Sequence, residues 1–281
     1  MPYMGNIQME VFPFRVNSLL RKEFRAVKDI SRHQPRIPQW MKLCTIFFIG
    51  IVFPVFWEIY WEIRQTERSM VIRMKDTAVE MAKRLLVDSI WKSANLEGLG
   101  TTFPKTEAIL ANAPTTTKTE EVLFVINMKR AWQFLLDNLT YHNSIMLLRE
   151  YDKIVGELLF HYAGEIRTIP VQIGGTSWEP EMPHTGVIME SIEEMERIED
   201  IELKALKYFC YIARTQMFID GNKRVAQLMA NKVLIENNVG IFQVPIELLE
   251  QFKELLIQFY ESGDDGKIIE FMKEYCIRHL A

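Results

Sequence analysis

The chain has 281 residues, 48% hydrophobic and 25% charged, with a formal net charge of −4. That balance excludes a disordered segment, and the acidic excess excludes a general nucleic-acid binder, which needs a basic surface. Cys44, Cys210 and Cys276 lie far apart, which indicates neither a zinc site nor a disulfide framework and fits a reducing cytoplasm.

Residues 1–65 form an N-terminal extension, expected to be helical. Leu43–Trp57 is an apolar run behind a basic stretch and flanked by Trp40, Tyr60 and Trp61. As a helix it spans about 22 Å, short of a hydrocarbon core of about 30 Å. Pro54 interrupts it, so a membrane anchor and a buried packing helix both stay open. A signal peptide fits poorly, because the charged lead is long and no small-residue cleavage site follows.

From Glu58 to Leu96 the sequence reads as helix, broken near Ser69. Val79, Ala82, Leu85, Leu86 and Ile90 form its apolar stripe. It ends at Ser93-Ala94-Asn95-Leu96-Glu97-Gly98, where Gly98 suits a helix C-cap. Residues 66–112 make a helical region, with a short helix over 106–112. Residues 113–281 make the core domain. Thr119 opens a helix running to Leu139, with Glu120 and Glu121 at its positive end. Another helix covers 146–162. Ile169-Pro170-Val171-Gln172-Ile173 alternates and is followed by Gly174-Gly175, which predicts a β-hairpin within 164–183.

Ile201–Arg214 repeats Leu203, Leu206 and Phe209 at helical spacing, and Val225–Leu234 does the same. Between them lies Gln216-Met217-Phe218-Ile219-Asp220-Gly221-Asn222-Lys223-Arg224. Asn222 suits an N-cap, and unpaired N–H groups at a helix N-terminus attract anions. Lys223 and Arg224 add positive charge, while Asp220 offers a hard oxygen ligand for Mg²⁺. An ordinary solvated turn is the competing explanation. Two amphipathic helices fill 245–280, split by Ser262–Gly266, whose acids lack the ligand spacing of a calcium loop.

The 216–224 stretch resembles the signature of the Fic/Doc family, His-x-Phe-x-(Asp/Glu)-Gly-Asn-(Gly/Lys)-Arg. It matches at Phe218, Asp220, Gly221, Asn222, Lys223 and Arg224, and the likeness extends from about Ala78 to the C-terminus. The resemblance implies a mainly helical, all-α fold with one β-hairpin flap, and transfer of AMP from ATP to a Ser, Thr or Tyr hydroxyl of a target protein. ATP and Mg²⁺ are the implied cofactors. Asp220 would hold the metal, Gly221, Asn222, Lys223 and Arg224 would cradle the nucleotide with Gln227 beside them, and Phe218 would anchor the loop.

Two departures matter. Gln216 stands where the family has its general base, and an amide cannot accept a proton near neutral pH. Gln227 stands where adenylyl-transferring members carry a second Arg. Lys223 is also found in Doc-like kinases, so phosphate transfer and a catalytically dead binding module remain alternatives. Ser93, Glu97 and Gly98 fit the family's inhibitory motif, whose Glu enters the nucleotide site; without an Arg at 227, Glu97 is expected to act beside Arg224. Val171, Gln172, Ile173 and Gly174 would form the flap that captures a target protein by strand pairing. His184 is the one histidine placed near enough to replace the base, and it is not expected to. Membrane contact through 43–57 and self-association stay open, and a cytoplasmic location is expected. A buried Asp220–Arg224 pair with no space beside Gly221 would count against nucleotide binding.

Overall fold

A computed structural model describes residues 77–280. The N-terminal extension and the 43–57 run lie outside the described residues. The described part is mainly helical with one small two-stranded antiparallel sheet, in keeping with the expected class. Residues 77–84 are helical and turn at Leu85 into α1 (Leu86–Leu96). Then follow α2 (Phe103–Leu110), α3 (Thr119–Asp137), α4 (Ile145–Gly156), α5 (Thr185–Glu196), α6 (Ile201–Thr215) and α7 (Asn222–Glu236). Strand β1 (Gly240–Phe242), α8 (Leu249–Ser262), α9 (Gly266–Tyr275) and β2 (Ile277–His279) complete the order. No helix among the described residues is long and apolar enough to cross a membrane.

Helix α7 is the axis of the domain. From Asn222 to Ile235 nearly every residue is buried, and it packs on α6, α4, α3 and β1. A helix covered on all sides needs internal partners for its polar residues. Asn231 supplies one set, donating to the Phe242 carbonyl and accepting from its N–H, which pins β1 to α7. Lys232 is fully buried and reaches Glu236 at 2.9 Å. Antiparallel to α7 runs α6, started by the Asp200 side chain, which accepts from the Leu203 N–H. This α6–α7 hairpin delivers the 216–222 loop to one end of the bundle.

The stretch 164–183 departs from the expected hairpin. Its turn is at Gly174-Gly175, closed by a Thr176 N–H to Ile173 carbonyl bond of 3.3 Å, but its arms form no β-ladder. The reason is Arg167, which is buried and takes carbonyls from both arms: Ile169 on one side, Pro180 and Glu181 on the other. Pro170, Pro180 and Pro183 have no N–H to offer a partner strand. One guanidinium thus replaces the ladder. The two strands that do pair, β1 and β2, are separated in sequence by α8 and α9 and gave no alternating signal. Helix α5 also went unread, because Val187 and Met189 are exposed and blur its apolar stripe.

Candidate functional site

The motif loop leaves α6 through Gln216, which adopts the left-handed conformation at φ 48°, ψ 52°. Both ends of its amide are engaged: Nε2 donates one bond, to the Ala213 carbonyl at 2.5 Å, and Oε1 accepts from Asn222 at 3.1 Å. Asn222 is buried and holds the loop shut. Its Oδ1 accepts from the Phe218 N–H, and its Nδ2 donates to the Phe218 carbonyl. Phe218 is fully buried, anchoring the loop as expected. Helix α7 begins at Asn222 with Gly221 as its cap, one residue earlier than the sequence pattern suggested, because the Asn222 side chain reaches back into the loop and leaves the cap position. Arg167 locks the other side, its Nε donating to the Gln216 carbonyl at 2.6 Å and its N–H to the Met217 carbonyl at 3.0 Å.

Two charged pairs set the electrostatics at this helix mouth. Lys223 Nζ lies 3.2 Å from Glu97 Oε2. Glu97 is placed by the turn ending α1, where Gly98 and Leu99 N–H groups bond back to Asn95 and Ala94 in a Schellman arrangement. Trp91 and Asn95 both donate to the Thr101 carbonyl and fix the chain beyond that turn. The helix-capping role of Gly98 and the delivery of Glu97 are therefore one structure. Glu97 was expected beside Arg224; its ion pair is with Lys223 instead.

The second pair joins Arg224 to Asp220 at 2.9 Å, with Arg224 almost wholly buried and Asp220 56% exposed. Arg224, expected to cradle phosphate, turns inward and also donates to the Val155 carbonyl at 3.2 Å. Gly221 (φ 84°) packs closely: a Cβ there would sit 2.5 Å from Asp152 Oδ1, 3.3 Å from Phe160 and 3.4 Å from Val155. The side of Gly221 that faces α4 is therefore filled. On the solvent side remain the Asp220 carboxylate, Lys223 and the first-turn N–H groups of α7, which lack intrahelical partners as in any α-helix. Gln227 lies deeper, lining a void of about 10 Å³ with Ser89, Ser93 and Asn231. A larger groove of about 620 Å³ runs between Trp178–His184, α5 and α6, and ends at Thr215, one residue short of the motif. No cluster of His, Cys, Asp and Glu suited to a metal exists among the described residues. A metal here would rest on Asp220 and on the ligand it accompanies.

The expected flap residues lead into the Gly174-Gly175 turn, and Ile173 packs on the core. Beyond the turn, Ser177 bonds the Glu261 carboxylate through N–H and hydroxyl, and Arg214 stacks on Trp178 at 3.9 Å. His184 stands at the N-cap of α5, without a side-chain capping bond, on the wall of the larger groove.

Asp152 is the site residue that pattern reading missed. It is fully buried on α4, on the same stripe as Leu148 and Val155. One oxygen accepts from the Gly164 N–H at 2.7 Å, while the other has no partner. Burial pushes its carboxyl up to about 7, against the opposing pull of the Gly164 bond and the Arg224 charge, and Asp220 adds to the rise. The unfolded carboxyl titrates near 3.8, so the folded state binds the proton more tightly. The contribution of Asp152 to stability is then full below about pH 4 and falls as pH rises toward 7, with a slope of up to about 1.4 kcal/mol per pH unit. Denaturant midpoints measured between pH 4 and 8 should therefore fall with pH in the wild type relative to D152N.

Comparison with known proteins agrees with the geometry. Residues 136–234 match the Fic/DOC family model. A comparison with curated proteins gives no match. Among solved structures, the fold is similar to a fragment of Fic-1 from C. elegans, with 19% identity, a TM-score of 0.60, and coverage of 92% of this chain and 80% of that one. It is also similar to a Fic family protein from Desulfovibrio desulfuricans (14% identity, TM-score 0.56, 72% and 70% coverage). A Fic domain containing signaling protein from Bacteroides thetaiotaomicron gives 16% identity, a TM-score of 0.55, and 73% and 90% coverage. The loop, its flanking helices and these likenesses agree: residues 136–234 match the Fic/DOC family, and the described fold is that of Fic-domain structures.

Proposed function

We propose that this protein binds a nucleotide with Mg²⁺ at the N-terminus of α7, in a site that its own α1 holds closed, and that it transfers AMP to a protein hydroxyl slowly. The observation that carries this is the Glu97–Lys223 pair. A carboxylate from another helix already sits at the cationic helix end, with its second oxygen buried and unpartnered. An anion is favoured there by the dipole and by Lys223, and an external phosphate competes with the internal carboxylate for the same charge. Lys223 thus supplies the cation that Gln227 cannot. Asp220, more than half exposed, is the residue available to a metal ion; when bound, Mg²⁺ would neutralise phosphate charge. Adenylyl transfer would form a bond between the acceptor oxygen and the α-phosphorus, release pyrophosphate, and leave a hydroxyl proton to be removed. Gln216 orients but does not take that proton, so it passes to solvent, and the step is slow.

The second reading is a binding module without catalysis. It is favoured by the engaged Gln216 amide and the inward turn of Arg224. Labelled ATP separates the two readings and the kinase alternative. Label from the α-phosphate on protein means AMP transfer, γ-label means a kinase, and neither label together with bound ATP means a module.

Release of the internal carboxylate gives a direct test. E97G should bind ATP·Mg²⁺ at least threefold more tightly than the wild type by calorimetry. Equal affinities would show that Glu97 does not guard this site.

A further inference from the structure

Arg224 is held in an unusual way for a buried cation. Its guanidinium lies over the rings of Phe124 and Phe160, 5.6 and 5.4 Å from their centres, and its side chain is almost wholly out of water. Its one anionic hydrogen-bond partner is Asp220, which is largely exposed. Its Nε has no partner at all. A buried charge with its anion removed costs several kcal/mol, so the Asp220 contact is difficult to give up. Yet Asp220 is the side chain that the nucleotide reading assigns to a metal.

Asp152 answers that conflict. It is fully buried, comes from α4, and has one oxygen without a partner, the same oxygen that fills the space where a Gly221 side chain would stand. Phe160 borders both the space a Gly221 side chain would take and the Arg224 guanidinium, so an orphaned acceptor and an orphaned donor lie about one ring. The charge of Arg224 also acts on the Asp152 carboxyl. Orphaned buried atoms are few in native proteins, and a complementary pair at one place calls for an explanation. We infer that Asp152 is the reserve counterion of Arg224: when Asp220 turns outward to a cation, the guanidinium passes to Asp152. Asp152 is then a positioning residue, since it reaches the nucleotide only through Arg224 and Asp220. The inference rests on the metal reading of Asp220 for its purpose, but its physical core is the sharing of one cation by two carboxylates.

That core is tested without any ligand, by a double-mutant cycle at pH 8. D152N and D220N alone should each change the unfolding equilibrium constant by no more than about threefold in the unfavourable direction, because the other acid still faces Arg224. Together they should raise it at least a hundredfold, and adding R224M should recover most of that loss. Additive effects, or no recovery with R224M, would overturn the inference. Should D152N not fold, the Arg224 Nε–Hε resonance in D220N carries the same information. A downfield shift and slowed exchange report the bond to Asp152, and an unchanged resonance overturns it. With Mn²⁺ and ATP as the probe, D152N should bind the metal at least fivefold more weakly than the wild type. Equal metal binding overturns the role assigned to Asp152. If the wild type itself binds no metal, the Asp220 assignment falls and the cycle still decides the counterion.

Discussion

Gln216→His is expected to raise incorporation of α-label from ATP into protein at least tenfold, and by up to the 10²–10⁴ that a general base contributes. The position accepts the change. Its backbone is left-handed, at φ 48°, and His is among the non-glycine residues that favour this region. Two contacts of Gln216 are lost or remade, to the Ala213 carbonyl and to Asn222. The loop does not depend on them, because Asn222 still closes it through Phe218 and Arg167 still holds the Gln216 carbonyl. An imidazole with an ordinary pKa near 6.5 takes a proton at neutral pH, which an amide cannot do. Glu97 remains on Lys223 in this variant, so the gain should be larger when E97G is added. The measurement is the initial rate with ATP saturating. An unchanged rate with ATP bound would mean that the missing base is not what limits this site.

Much of the bundle was written in local pattern. The spacing of Leu203, Leu206 and Phe209 placed α6, and the polar run behind it placed the loop. The polar contacts were not legible, because they depend on side-chain geometry: Lys223 pairs with Glu97, far away in sequence, and Arg167 gathers carbonyls on both sides of a turn. Strands of three residues are too short to alternate, so β1 and β2 carried no period-2 signal. The missing hairpin ladder has a physical cause in Arg167, whose five donors outcompete prolines with none. Asp152 did leave a trace, an acid four residues after Leu148 and three before Val155 on the apolar face of α4. Buried acids are rare enough that such a break marks a place to look. The resemblance placed Arg224 on a ligand, and nothing in the local pattern shows which way its side chain turns. A helix turns by about 100° per residue, so Lys223 and Arg224 face different directions, one toward solvent and one into the core.

Gly221→Ala carries the largest expected loss of stability at the site, about 3 kcal/mol. Two contributions combine. At φ 84° an L-residue costs roughly 1–2 kcal/mol relative to glycine. The added methyl also meets Asp152 Oδ1 at 2.5 Å, well inside contact distance. Asp152 cannot swing away cheaply, since it is fully buried and its other oxygen holds the Gly164 N–H at 2.7 Å. Forcing a methyl into a packed site costs typically 1–3 kcal/mol. For a domain of this size the two together lower Tm by roughly 6–12 °C. Gly98 provides the control, with φ 79° but nothing within 4 Å of its notional Cβ. G98A should therefore show the backbone cost alone, about 1–2 kcal/mol. Shortening the obstacle separates the terms further: D152A should be less harmful in the G221A background than in the wild type, because it removes the atom the methyl strikes. If G221A and G98A lose the same stability, and D152A has the same effect in both backgrounds, then Gly221 is needed only for its backbone angle. The contact between α4 and the motif loop would then have no part in shaping the site.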